Sequence, residues 1–412
     1  MRSTFTAIAV ALMAGTLIAA PASAQTPAPA AAAPPQLCSM NLSNGARKAL
    51  LALQTVVDAK NNAGFAAADA AARAAVKNGD DRCVLAQLEL SHAASSSDYT
   101  AASAAVEAMI ASKAVSTPAL VPILNTLGKN QYNAKNYAGA AQSFERAISF
   151  APNDPEQLML LAETRAKMGQ TDAALSTYRK VVAAYAASGT KIPEDYVKHA
   201  VAFAYNGKSP QLYDLAREWA RSYPTEKNWR DAIMVYTAQS DLPTSDLIDM
   251  WRLQRATGAL AGETDYGLYA QTALDKGLVG EAKAVLEEGI ASKKLARGAR
   301  IASLLGQANA KAAGDRASLT AGAAKALASA TANPAVNTAD ALFGYGDYAK
   351  AAELYRAALT KTGADQAQIN LRLGMALAMS GDKAGAKAAL AAVTGPKAEI
   401  AKYWAAYVDQ RA

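Results

Sequence analysis

Histidine is almost missing from this chain, with His92 and His199 the only two in 412 residues. Cysteine is equally scarce, with Cys38 and Cys83 alone. Neither histidine stands at ligand spacing from a cysteine, so no metal site is expected. A histidine-assisted nucleophile has the same two residues to draw on and no credible partner set. The acids that neighbour each other, Glu287-Glu288 and Asp80-Asp81, are adjacent in sequence and cannot flank a scissile bond. No Gly-rich phosphate loop or dinucleotide fingerprint occurs. The expectation is a protein without catalytic residues and without a cofactor.

Aromatic residues are also few, 7% of the chain, although hydrophobic residues reach 51%. Alanine makes up the difference. An alanine-heavy chain cannot build a thick core, but it suits helices whose backbones approach closely, since alanine has the best helix propensity. The chain exceeds the usual ceiling for one compact core, so several domains or a repeat array are expected. The formal charge of +7 is spread along the chain. No basic stripe or basic-aromatic run of the kind that binds nucleic acid is present.

Long apolar runs are confined to the beginning. "MRSTFTAIAVALMAGTLIAAPASAQ" carries one cation, Arg2, an apolar stretch from Ala7 to Ala20, and a small-residue ending at Ala22-Ser23-Ala24. That is the pattern of a secretory signal, residues 1–24, cut before Gln25. The stretch is short for a bilayer span of ~20 residues, and no later one is longer or more apolar. Export to the bacterial periplasm without a transmembrane anchor is therefore expected. Residues 25–43 begin "QTPAPAAAAPPQ", a Pro/Ala linker. In an exported chain an even pair of cysteines reads as a disulfide, Cys38 to Cys83, worth roughly 4 kcal/mol in the chain-entropy account. Two free buried thiols are the alternative.

From Asn44 onward a period of about 34 residues appears. Leu127 maps to Leu161, Ala140 to Ala174, Phe144 to Tyr178 and Ala147 to Val181. The clearest unit holds Leu127-Gly128, then Ala140, Phe144 and Ala147, then Pro152. Others supply Tyr196, Ala200, Gly207, Ala216 and Trp219; Tyr266, Ala270, Gly277 and Ala282; Gly346, Tyr348, Ala351 and Tyr355; and Leu373-Gly374, Gly381 and Ala386. This pattern resembles the tetratricopeptide repeat, a helix pair with a small residue in each helix, an aromatic at the joint and a terminal proline. The best unit departs from the family by Leu124 at its Trp position and Gln131 at its Tyr position, with Tyr132 one step late. Near 300–331 only alanines and Gly314 support a unit.

The resemblance implies an all-α superhelix, a solenoid of roughly nine to ten helical hairpins. Divergent repeats would occupy residues 44–120, the clearest ones 121–260, and further repeats 261–400. Within the best unit, Ala140, Phe144 and Ala147 share one helix face. Small residues there admit the partner helix, the Phe144 ring fills the joint, and Pro152 stops the helix. Asp154 or Asn153 would cap the next one. In "KAEIAKYWAAYVDQ", Ile400, Trp404 and Tyr407 recur at helical spacing, which reads as a C-terminal capping helix ending within 401–412.

His199 falls at an apolar position of a first helix and reads as a satisfied histidine at the core edge. His92, in "ELSHAASSSDY", reads as surface or groove. In this family the first helices line a concave groove that takes a peptide-like segment of a protein partner. The positions that face it correspond here to Asn125, Lys129, Tyr132 and Asn133; then Met159, Glu163 and Lys167; then Val197, Val201 and Tyr205; and finally Lys227, Arg230 and Met234. An acidic segment would depend on Lys129 and Arg230. The carboxylate clamp of the chaperone-binding subfamily is not matched, because Asn125 and Lys129 stand in reversed order and Leu160 replaces the next polar residue. The function expected is a non-catalytic scaffold for a protein or peptide partner. Alternatives are an assembly factor for a pilus or secretion apparatus, and a wall enzyme of the superhelical lytic transglycosylase type. The latter needs a globular catalytic domain that no non-repeat stretch supplies.

Overall fold

The computed structural model describes residues 37–38 and 41–411; the expected signal sequence and most of the linker lie outside the described residues. Among the described residues there are twenty α-helices and no strand, and the sole β feature is an isolated bridge between Thr331 and Thr362. The described residues form an all-α fold of helices packed largely as consecutive pairs. It divides into two compact units between Ser209 and Pro210.

The N-terminal unit contains α1 (Asn44–Asp58), α2 (Asn62–Ala75), α3 (Gly79–Ser95), α4 (Tyr99–Ser112), α5 (Thr117–Asn133), α6 (Tyr137–Phe150), α7 (Pro155–Lys167), α8 (Thr171–Ser188) and α9 (Glu194–Asn206). The first eight pair as four consecutive hairpins. Their turns repeat one device. The residue two places before each second helix has positive φ: Lys60, Ser97 and Lys135, then Gly169. Glycine adopts that conformation freely, whereas lysine or serine costs roughly 1–2 kcal/mol. Where the costly residue sits, the next one caps the helix. Asn61 accepts from Gly64 N, Asp98 from Ala101 N and Asn136 from Gly139 N at 2.9–3.1 Å.

The best hairpin is built as its spacing predicts. Ala140, Phe144 and Ala147 are fully buried. A Cβ on Gly128 would stand 2.6 Å from Phe144 Cε1, so only glycine lets α5 and α6 close on that ring. Phe144 also clusters with Leu161 of α7, which makes it the joint to the following pair. Helix α6 ends at Phe150, just before Pro152, and Asp154 is the cap of α7, accepting from Glu156 N at 2.9 Å. The departure at Gln131 has a structural role. Its buried amide accepts from Ser143 Oγ at 2.7 Å and donates to Ser103 Oγ at 3.1 Å, tying α4, α5 and α6 together.

Cys38 and Cys83 are joined in a disulfide, across a sequence separation of 45. Close by, buried Asp81 accepts from Ser43 N at 2.9 Å, Ser43 Oγ at 2.7 Å and Lys77 N at 2.9 Å. Burial alone would raise this carboxyl, but the hydrogen bonds from Ser43, Lys77 and Asn78 hold it below the usual range. The start of α1 is thus fixed to the start of α3.

The C-terminal unit contains α10 (Leu212–Ser222), α11 (Glu226–Gln239), α12 (Thr244–Ala256), α13 (Gly262–Asp275), α14 (Val279–Ala291), α15 (Ala299–Ala328), α16 (Ala332–Gly344), α17 (Tyr348–Ala358), α18 (Gln366–Ser380), α19 (Lys383–Ala391) and α20 (Ala398–Gln410). Gly277, Gly346 and Gly381 fill the positive-φ turn position before α14, α17 and α19. The weak unit near 300–331 is a correction. It is one helix of 30 residues, and Gly314 lies inside it rather than at a turn. Nothing between Ala299 and Ala328 breaks a helix, since there is no proline or positive φ, and the many alanines favour continuation.

Helix α20 covers α18 and α19 as a cap would, and does more. It also packs on α10 and α12, some 150 residues back along the chain. Tyr403 Oη donates to Ala232 O at 3.0 Å, Trp404 Nε1 to Asp249 O at 3.1 Å, and Trp229 Nε1 to Gln410 Oε1 at 2.8 Å. Lys397 pairs with Asp246 and Arg217 with Glu399. Seven of its residues are buried: Ile400, Ala401, Tyr403, Trp404, Ala406, Tyr407 and Val408. Only a narrow stripe through Lys402, Ala405 and Asp409 stays open, so α20 is buried round most of its circumference.

Candidate functional site

Three helices of the N-terminal unit, α5, α7 and α9, bring together the charged and aromatic side chains of the expected groove. Lys129 Nζ on α5 meets Glu156 Oε1 on α7 at 3.0 Å. Glu163 Oε1 on α7 meets His199 Nδ1 on α9 at 2.6 Å. That hydrogen bond raises the imidazole above its ordinary value, against burial, which works to lower it. Two half-buried tyrosines flank the acid. Burial first, then the charge of Glu163, pushes Tyr132 up to about 12. Tyr196 is also pushed up to about 12, by burial and then by Tyr185, Glu156, Glu163 and Asp154. Tyr132 is further held edge-on against Tyr137, with ring centroids 5.3 Å apart.

The remaining expected positions fare differently. Asn133, Lys167 and Tyr205 are exposed. Asn125 is half-buried, and its side-chain oxygen has no donor within the described residues. Met159 is a correction: at 2% exposure it is part of the core, as are Val197 and Val201. Each falls on the side of its helix that meets a neighbouring helix. His199 is not at an apolar core position. It is half-buried on the face, within ion-pair distance of Glu163. Tyr196, His199 and Glu156 are the members of the face that spacing alone did not assign to it. The available signal was that Glu163 and His199 stand about one repeat apart once the longer loop after α8 is allowed for.

Lys227, Arg230 and Met234 belong to the C-terminal unit. Lys227 pairs with Asp231 on its own helix. Arg230 pairs with Asp265 and donates to Ala259 O at 3.2 Å, holding the loop between α12 and α13. These cations are committed, as Lys129 is, so the charge expected for an acidic segment is not free.

The C-terminal unit puts its polar chemistry inside. Arg252 donates to both oxygens of Glu281 at 2.7 Å and to Asp249 Oδ1 at 3.0 Å. Arg372 reaches Asp340 Oδ2 at 2.6 Å and Asp249 Oδ1 at 3.3 Å. Tyr269 and Tyr355 donate to Glu281 and Asp340, each at 2.5 Å. Burial works against charge on Arg252, yet Glu281, Asp249 and Asp340 hold it well above its ordinary value. Burial would raise Glu281, but Arg252 keeps it below the usual carboxylate range. This network links α12, α13, α14, α16, α17 and α18 and is closed to solvent.

The tetratricopeptide repeat family matches residues 132–189, from the end of α5 through α8. That stretch carries the tetratricopeptide repeat pattern. Among solved structures it is similar to a tetratricopeptide repeat protein from Parabacteroides merdae, at 15% identity over 72% of this chain and 99% of that one, with a TM-score of 0.27. It is also similar to a chain in the structure of Naa15/Naa10 bound to HypK-THB, at 15% identity over 85% of this chain, with a TM-score of 0.30. The chain spans 62% of the length of that second relative. No curated protein matches it. Tetratricopeptide repeats point to a protein-interaction scaffold. Among the described residues no cluster of three or more metal-ligating side chains occurs, and no helix is long and apolar enough to cross a membrane.

Proposed function

We propose that the protein is a non-catalytic scaffold of the bacterial periplasm that binds a protein or peptide partner on the α5–α7–α9 face of its N-terminal unit. The observation that carries this reading is the gathering of Tyr132, Glu163, Tyr196 and His199 on adjacent helices, partly open to solvent. Half-buried tyrosines offer large contact area at low entropy cost. Acids dominate the surroundings: Asp154, Glu156, Glu163 and Asp195 all act on Tyr196 or His199, and Lys129 is already paired with Glu156. A partner segment with basic and apolar side chains complements that charge. The disulfide and the amino-terminal signal pattern support an exported location.

A photo-crosslinking residue at Tyr132, introduced into the full chain in its native envelope, tests the reading. Discrete protein adducts are expected at Tyr132, absent for the same probe at exposed Lys311, and lost when Glu163→Lys is added. Identical adducts at both positions, or adducts indifferent to Glu163→Lys, would overturn it.

A further inference from the structure

In the first two hairpins, α2 meets α3 in an apolar cluster that includes Ala72 and Leu85, and through two further side-chain steps. Phe65 of α2 stacks on His92 of α3, with centroids 3.5 Å apart and planes within 8°. Farther along, Arg73 Nε bonds Asp69 Oδ2 at 2.7 Å on its own helix, and its Nη2 reaches Glu89 Oε1 of α3 at 2.5 Å. Asp69 also acts on Glu89 across the joint, raising its carboxyl after burial does. Both carboxyl groups are largely buried, and Asp69 Oδ1 is shut off from water with no donor. Two carboxylates therefore share one guanidinium, which is itself 60% exposed. Little else nearby can compensate. Arg82 and His92 are the other titratable groups of α3 close to this joint, α4 presents Ala108, Ala111 and Ser112, and α1 presents apolar Leu50, Leu53 and Val57.

We propose that this joint is a proton-operated latch. A proton on Glu89 is donated to Asp69 Oδ1 and holds α2 on α3. Its loss leaves two facing carboxylates that drive α2 away from α3 and widen the cavity of about 300 Å³ between α2, α3 and α4. Burial, then the hydrogen bond to Asp69, outweighs Arg73 and pushes Glu89 up to about 7. The folded chain thus keeps a proton that the unfolded chain releases near the ordinary glutamate value. The latch is fully set below that ordinary value and is lost as pH rises through about 7. Motion is confined to α2, because the disulfide and the Ser43–Asp81 bonds fix the start of α1 to α3.

Hydrogen exchange on the full chain, corrected for intrinsic rates, tests the latch. Amide protection across α2, relative to α3, should fall about tenfold between pH 5.5 and 8.5, the response of one released proton over roughly one pKa unit. Glu89→Gln donates permanently to Asp69 and should keep α2 equally protected at both values. His92→Phe keeps the ring stack without titrating and should retain the wild-type response. The proposal is overturned if Glu89→Gln responds as the wild type does, or if the response vanishes in His92→Phe. Carboxyl-carbon NMR on the wild-type chain reads the same group without a variant, and a Glu89 midpoint below about 5 also overturns it.

Discussion

The two units solve one problem with different chemistry. In the N-terminal unit the contacts between pairs carry groups whose hold on a proton the fold strengthens: Glu89 between α2 and α3, pushed up to about 7, and His199, raised by Glu163, between α7 and α9. In the C-terminal unit the corresponding work is done by Arg252, Arg372 and Glu281, pushed by their partners further into their charged forms. Tyr269 and Tyr355, raised by burial, stay neutral. One unit is joined by groups that water and protons can reach. The other is closed around charges that do not titrate in the ordinary range. A buried ionic network adds little net stability compared with apolar residues of the same shape, but removing one member is severe. Its expected contribution is to fix which of six helices meet.

All four tryptophans, Trp219, Trp229, Trp251 and Trp404, lie in the C-terminal unit, so their fluorescence reports that unit alone, while helical circular dichroism reports both. Arg252→Met, which leaves Glu281 without its cation and Asp249 with Arg372 alone, should destabilise the C-terminal unit by about 3–5 kcal/mol in a denaturant melt followed by fluorescence. An unchanged fluorescence midpoint would remove the contrast between the units. Phe144→Ala should cost the N-terminal unit about 3–5 kcal/mol by leaving a cavity beside Gly128 and Leu161. It should shift the dichroism melt and spare the fluorescence one. A loss below about 1 kcal/mol would sink the joint-filling role of the ring.

Smaller effects sharpen the comparison. The ion pair of His199 with Glu163 is fully present below the ordinary imidazole value and lost as pH rises through the raised one. The N-terminal unit should therefore lose stability from about pH 6.5 upward, by less than about 1 kcal/mol for so exposed a pair. His199→Gln should flatten that slope when dichroism melts are compared across pH, and an equal slope in both proteins would exclude the pair as its source. Smallest is Lys135→Gly, which relieves a left-handed lysine and should raise the midpoint by about 0.5 kcal/mol after the entropy cost of glycine. A lower midpoint would mean that Asn136 already absorbs the strain.

What could be read in advance follows from range. Ala140, Phe144, Ala147 and Pro152 act within one hairpin or on the next one along, so helical spacing and turn chemistry place them correctly. Lys129, Tyr132 and Glu163 came to one face because a repeat carries its register from unit to unit. Met159 did not follow, since neighbouring helices covered the side on which register put it. Arg252, Asp249 and Glu281 looked like ordinary surface charges, because residue type alone predicts exposure and only the fold supplies their partners. The return of α20 to α10 and α12 left no periodic trace at all. Contacts across some 150 residues depend on where the array ends in space, and spacing along the chain does not encode that.

Helix α20 also sets the order in which the protein can be completed. A linear repeat array gains its stability hairpin by hairpin as the chain is synthesised, each addition resting on the one before. Here Tyr403, Trp404 and Tyr407, in the middle of the C-terminal unit, belong to α20, which is synthesised some 150 residues after α12. Helices α10 to α12 must wait, with the sides that meet α20 uncovered, until that helix arrives. A chain that stops short of α20 loses contacts in the middle of a unit and not merely at its edge.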